Sequence, residues 1–247
     1  MANVLIKRAY EDEEITEAQA KEIVRCANDC EYFMRKYIIV QHPTRGSIPF
    51  DLYAYQERTL NNLMSGNKNI VLQPRQSGKT ILITAYLLWE AIFNEDIKIG
   101  VAAHIGLGAK EVMDRFKYAY EFLPNWLKPG IKVYNVFDIV FDNGSSIISS
   151  TTTATTFRGK SLSIIFLDEL AFVPQKIAEL FWTSLLPSMA AGGKDGVKLI
   201  ITSTPNGSEG LFANLWHKAE SGISDFIPSR VYNEEVPERD EEFKQTM

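Results

Sequence analysis

The stretch from Asn69 to Phe93 restricts the fold more than any other. A short apolar run, Asn69-Ile-Val-Leu72, leads into Gln73-Pro-Arg-Gln-Ser-Gly-Lys-Thr80, and a leucine-rich segment of helical length follows. A strand that feeds through a glycine-containing loop straight into a helix is the first half of a β-α-β unit. Such units build parallel sheets covered on both faces. The chain repeats the alternation. Ile97 to Ala103, Leu162 to Leu167 and Val197 to Ser203 read as buried strands. Lys79 to Phe93, Gly108 to Phe122 and Pro174 to Met189 read as helices, the last with proline at its start. Phe137 to Thr151 holds Asp142-Asn-Gly-Ser145 between two β-type runs, a hairpin signal. Upstream, Thr16 to Tyr37 reads as one helix, His42 to Pro49 as a loop and Leu52 to Met64 as a second helix. The expectation is an α/β fold with a mainly parallel sheet.

Composition excludes several classes. The 247 residues are 45% hydrophobic and 23% charged, ordinary for a globular protein and enough for a full core. The two cysteines, Cys26 and Cys30, exclude a disulfide framework, and no Cys or His spacing completes a four-ligand metal site around them. His42, His104 and His217 are scattered. The longest apolar run, Ile81 to Phe93, is short of the ~18 residues of a membrane span and contains Glu90. The charged start lacks a signal-peptide core. No membrane contact and a cytoplasmic setting are expected. The net charge of −5 is concentrated at the ends, where residues 1–20 and 234–247 are acidic. The body is nearly neutral, so any contact with nucleic-acid phosphates must be local. Trp126, Trp182 and Trp216, with Met64, Met113 and Met189, are expected to fill the core.

The loop from Gln73 to Thr80 carries the chemistry. Backbone N–H groups at a helix N-terminus, reinforced by the helix dipole, cradle polyphosphates. Gln73, Pro74, Arg75, Gln76 and Ser77 form the loop. Gly78 lets the backbone come close, Lys79 neutralises phosphate charge, and the Thr80 hydroxyl suits Mg²⁺. Gln73 stands where this loop type normally begins with glycine, and Arg75 adds a cation inside it.

A second segment completes the pattern. The apolar strand Ser163 to Leu167 runs into Asp168-Glu169, which places two carboxylates at the sheet edge where α/β proteins bind ligands. Asp168 is the expected metal residue and Glu169 the expected base toward water. A glutamate there favours hydrolysis over a kinase or a switch.

In five segments the sequence resembles the large terminase subunits of tailed bacteriophages, most of all the myovirus type. They are Gly46 to Gln56, the loop with Arg75, Phe157-Arg-Gly159, Ile164 to Phe172 and Thr202 to Gly207, together spanning about residues 32–210. The resemblance implies a three-layer, RecA-like additional-strand P-loop NTPase domain. It implies Mg²⁺-dependent ATP hydrolysis that drives double-stranded DNA into a procapsid. Tyr55 and Gln56 match the adenine-contacting motif. Arg75 matches the loop arginine, and Arg158 the arginine finger offered to a neighbouring subunit; either could be the main finger. Thr204 and Asn206 fall in the motif that couples hydrolysis to movement. The implied partners are the portal protein, the small terminase subunit and other copies in a ring, expected as a pentamer at the portal vertex in the host cytoplasm. Residues 1–220 would form the motor domain and 221–247 the start of a linker or lid. The nuclease domain of large terminases is not expected within these residues, nor is DNA cleavage. A helicase-like translocase and an inactive nucleotide-binding module are the rival readings.

Overall fold

The computed structural model describes residues 5–42, 44–190 and 196–237. In chain order the elements are α1 (Glu17–Asn28), α2 (Cys30–Tyr37), β1 (Ile39–His42), β2 (Gly46–Pro49), α3 (Ala54–Ser65), β3 (Lys68–Leu72), α4 (Lys79–Phe93), β4 (Lys98–Ala103) and α5 (Gly106–Phe122). Then come β5 (Ile131–Tyr134), β6 (Asp138–Phe141), β7 (Ser146–Thr151), β8 (Ile164–Asp168), α6 (Gln175–Ala190), β9 (Lys198–Ser203), α7 (Leu211–Glu220) and β10 (Ile227–Arg230).

An eight-stranded sheet in the order β10-β3-β9-β8-β4-β7-β6-β5 forms the middle layer. From β10 through β7 every neighbouring pair is parallel, and β6 and β5 close that edge antiparallel. The strands alternate their side chains between two cores. In β8, Ile164 and Phe166 join the cluster made with α2, α4 and α5, while Ile165 and Leu167 join the cluster made with α6 and α7. Both faces are covered, which explains why these strands read as unbroken apolar runs. The parallel strands bring the loops after β3, β4, β7, β8 and β9 to one edge. Among the described residues, no helix is long and apolar enough to cross a membrane.

Several local expectations are corrected. The stretch 16–37 is two helices, because Asp29 takes extended φ and ψ of −137° and 92° and its carboxylate accepts the Tyr32 N–H at 2.8 Å. Aspartate competes for backbone donors in this way and starts helices better than it continues them. Cys26 and Cys30 therefore lie on separate helices, both buried as free thiols. The expected loop 42–49 contributes a strand pair, β1 against β2, with Pro49 at its outer end, where a missing donor is tolerated. Met64, at the end of α3, is 45% exposed rather than core. Beyond residue 220 the chain returns to the sheet, where β10 pairs in parallel with β3. The expected linker beyond 237 lies outside the described residues.

The N-terminal segment is held at the far sheet edge by Lys128. The Ile131 N–H donates to the Lys7 carbonyl at 2.9 Å. The Lys128 ammonium donates to the carbonyls of Leu5 at 2.7 Å and of Tyr120 and Glu121 at 3.3 Å each. Burial pulls its pKa down to about 8. In the unfolded chain it titrates near 10.5. Between these values the unfolded state holds more protons, so this group adds stability as pH rises through that window. Melting the wild type and Lys128→Met from pH 7 to 10 should show the wild type gaining on the variant above pH 8. The gain should be at most about 1.4 kcal/mol per pH unit. Parallel curves would contradict this account.

Candidate nucleotide site

The loop between β3 and α4 is braced from behind. Gln73 is fully buried, and its carboxamide accepts from the Ser77 hydroxyl at 3.0 Å and donates to Thr59 Oγ1 at 3.3 Å. Its N–H donates to the Ser203 carbonyl at 3.2 Å. A glycine could make the turn but not the two side-chain bonds, which gives the departure at this position a physical reason. Tyr55 and Gln56 also lie behind the loop. The Tyr55 hydroxyl donates to the Ser77 carbonyl at 2.9 Å, and Gln56 Nε2 lies 3.4 Å from the same oxygen. Gln56 Oε1 accepts the Tyr53 N–H at 3.0 Å. The family resemblance sets Gln56 against adenine, yet both ends of its amide are engaged by protein. Gln73, Pro74, Tyr55 and Gln56 do not line the cleft in front of the loop; Arg75 through Thr80 do.

That cleft has a volume of about 400 Å³. Its floor is the meeting of the two sequence-distant motifs. Lys79 Nζ lies 2.5 Å from Glu169 Oε1, and the Thr80 hydroxyl lies 3.3 Å from Asp168 Oδ2. Position follows from topology. Thr80 and Lys79 open α4, Asp168 ends β8, and Glu169 follows in left-handed backbone with φ 55°. A non-glycine residue held there marks a conformation imposed by its surroundings.

Those surroundings are β9 and the residues after it. The Thr202 hydroxyl donates to Asp168 Oδ1 at 2.7 Å. The Thr204 N–H and hydroxyl donate to Glu169 Oε2 at 2.9 and 3.1 Å, and the Ser203 hydroxyl at 3.3 Å. Burial pushes the Asp168 carboxyl above the usual carboxylate range, against the pull of Thr202 and Lys79. Burial acts on Glu169 in the same direction, but Lys79 and Thr204 together outweigh it and hold that carboxyl below its ordinary value. Thr80 and Asp168 offer hard oxygen donors beside a phosphate cradle. That set fits Mg²⁺, which takes one or two protein oxygens and leaves the rest to substrate and water. Among the described residues no cluster of three or more His, Cys, Asp or Glu forms an all-protein metal cage.

The remaining expected residues divide. Arg75 lines the cleft and stands over the Phe172 ring at 5.6 Å. Arg158 is exposed in the loop after β7, on the same edge of the sheet but outside this chain's cleft. Thr204 sits at the cleft; Asn206 does not, and its side chain donates to the Ala171 carbonyl at 2.8 Å. That bond is a loop brace, natural for a turn asparagine. Thr202, Ser203 and Phe172 fall inside segments named from the sequence without being singled out there, and His104, Glu111 and Arg115, which line the cleft, are not among the expected residues. A hydroxyl at the last positions of a buried strand was the available signal for Thr202 and Ser203.

Comparison with known proteins identifies the family and the fold. Residues 70–247 match the family described as terminase large subunit, T4likevirus-type, N-terminal. The fold resembles that of the HK97 bacteriophage large terminase, with a TM-score of 0.64 at 15% identity, over 83% of this chain and 43% of that one. It also resembles the large terminase ATPase domain of Thermus phage P74-26, with a TM-score of 0.64 at 18% identity, over 79% of this chain and 87% of that one. The large terminase of another thermophilic bacteriophage, in complex with ATP-gamma-S, gives 0.56 at 14% identity, over 79% and 48%. The chain thus spans less than half the length of the HK97 protein. The sheet order, the braced loop and the family match lead to one assignment: the chain belongs to the T4-like family of terminase large subunits and corresponds to their N-terminal domain.

Proposed function

We propose that this chain binds ATP in the cleft before the 73–80 loop and hydrolyses it, and that hydrolysis drives double-stranded DNA into a procapsid. The observation that carries the reading is the approach of Lys79 and Thr80 to Glu169 and Asp168, at 2.5 and 3.3 Å.

The loop N–H groups and Lys79 bind the phosphates, and Thr80 and Asp168 would hold Mg²⁺. Bound magnesium would supply charge neutralisation on the phosphate oxygens. Glu169 is engaged at both oxygens, by Lys79 on Oε1 and by Thr204 and Ser203 on Oε2. A polyphosphate competes for Lys79 and frees Oε1, while Thr204 and Ser203 keep their hold on Oε2. The freed oxygen accepts a proton from water as the water oxygen attacks the terminal phosphorus. The bond to the ADP oxygen breaks, and ADP and phosphate leave. Because Thr204 follows β9, a change at Glu169 reaches the backbone of the next strand, which is the proposed coupling path. Arg75 reaches the phosphates in cis. Arg158, exposed on the same edge, is assigned to the site of a neighbouring copy. On this geometry Tyr55 and Gln56 act by bracing the loop. A direct bond to adenine would require Gln56 to exchange its Ser77 and Tyr53 partners.

Residues 1–220 are assigned to the motor domain and 221–247 to the start of a linker or lid, with β10 paired to the motor's sheet. A ring of copies, the portal protein, the small subunit and the host cytoplasm at the portal vertex follow as proposals from the family alone. The purified chain should release phosphate from ATP, and chelating divalent cations should lower the rate by at least about tenfold. Release no faster than in buffer alone would remove the reading.

A further inference from the structure

We propose that Arg115 is a second phosphate-binding residue that reads the terminal phosphate and so separates ATP from ADP. The proposal rests on the ATP reading above. Arg115 lies on α5 and lines the same cleft as Thr80 and Asp168. It is half-buried, and among the described residues it makes no hydrogen bond or ion pair. Elsewhere on the same helix the equivalent four-residue spacing is used, since Lys110 and Asp114 pair at 3.1 Å. Glu111, one turn before Arg115, is exposed and does not pair with it. A guanidinium carries five donors in a planar fork matched to phosphate oxygens. Half-buried without a protein partner, the guanidinium faces the cleft with its donors open to an anion that enters it.

The cleft's charge balance points the same way. Its wall carries Arg75, Lys79 and Arg115 against Glu111, Asp168 and Glu169. Lys79 is engaged by Glu169, which leaves Arg75 and Arg115 as the other cations facing an incoming polyphosphate. Sheet order then distinguishes them. The loop follows β3, and β9, β8 and β4 succeed it across the sheet. A polyphosphate seated on the loop and directed at Asp168 therefore has its terminal group on the side of β4 and α5. Arg115 stands there, whereas Arg75 belongs to the loop itself.

The test is equilibrium binding of fluorescent ADP and of a fluorescent non-hydrolysable ATP analogue, with Mg²⁺, to the whole chain. Arg115→Ala should weaken the ATP analogue about tenfold and leave ADP within about twofold. Arg115→Met, which keeps the apolar stem, should behave the same, and Arg115→Lys should fall between. Thermal melts establish that each variant is folded. Equal weakening of both nucleotides, or no change in either, overturns the role of Arg115 while leaving the nucleotide site in place. A wild-type chain that binds neither nucleotide overturns both.

Discussion

Replacing Glu169 by glutamine should lower phosphate release from ATP by about 10²–10⁴-fold while nucleotide binding persists. The amide keeps the size of the carboxyl, and its oxygen still accepts from the Lys79 ammonium now 2.5 Å from Oε1. What disappears is the basicity needed to take a proton from water. The same change removes the negative charge that competes with phosphate for Lys79, so ATP should bind at least as tightly as to the wild type. This split separates Glu169 from a residue that merely holds the site together, whose loss would weaken binding and turnover together. Single-turnover phosphate release and a fluorescent-nucleotide titration measure the two quantities. Turnover of Glu169→Gln within about twofold of the wild type would end the assignment of Glu169 as base.

Much of this site was legible in the sequence because its two halves are local. A loop with Gly78-Lys79-Thr80 between strand and helix needs no tertiary information, and neither does a buried strand that stops at Asp168-Glu169. Their meeting follows from parallel strands, whose C-terminal ends share one edge. What was hidden depends on which strands are neighbours. Thr202 reaches Asp168 because β9 lies between β3 and β8. Arg115 enters the cleft because β4 flanks β8 on the other side and delivers α5 there. Side-chain direction was equally hidden. Asn206 and Gln56 sit in the right segments, but one bonds the Ala171 carbonyl and the other the back of the loop. In the fold, long periodic elements such as α4 were read to the residue. Short edge strands such as β5 and β10 were not, because four residues, with a proline in β10, carry too little pattern.

The loop itself supplies the second large effect. Gly78 has φ +77°, and a Cβ built on it would lie 2.6 Å from Gln56 Nε2. Alanine in that left-handed region costs about 1–2 kcal/mol. The contact adds to it, because Gln56 is only 2% exposed and hydrogen-bonded at both ends of its amide, so it cannot swing aside. The loop must then shift, and an N–H cradle displaced by ~1 Å loses about 10²-fold in function. Gly78→Ala should therefore weaken ATP binding about a hundredfold. Gly46→Ala is the control: at φ +69° it bears a similar backbone penalty, but its Cβ would meet nothing within 4 Å, and it lies in the β1–β2 pair. It should lower stability and leave ATP affinity within about twofold. Adding Gln56→Ala to Gly78→Ala removes the clash but not the backbone strain, so part of the affinity should return. The double-mutant cycle should give a favourable coupling of about 1 kcal/mol or more between the two positions. Strictly additive losses would mean that Gln56 does not set the loop's position, and that the buried amide behind the phosphate cradle is there for packing alone.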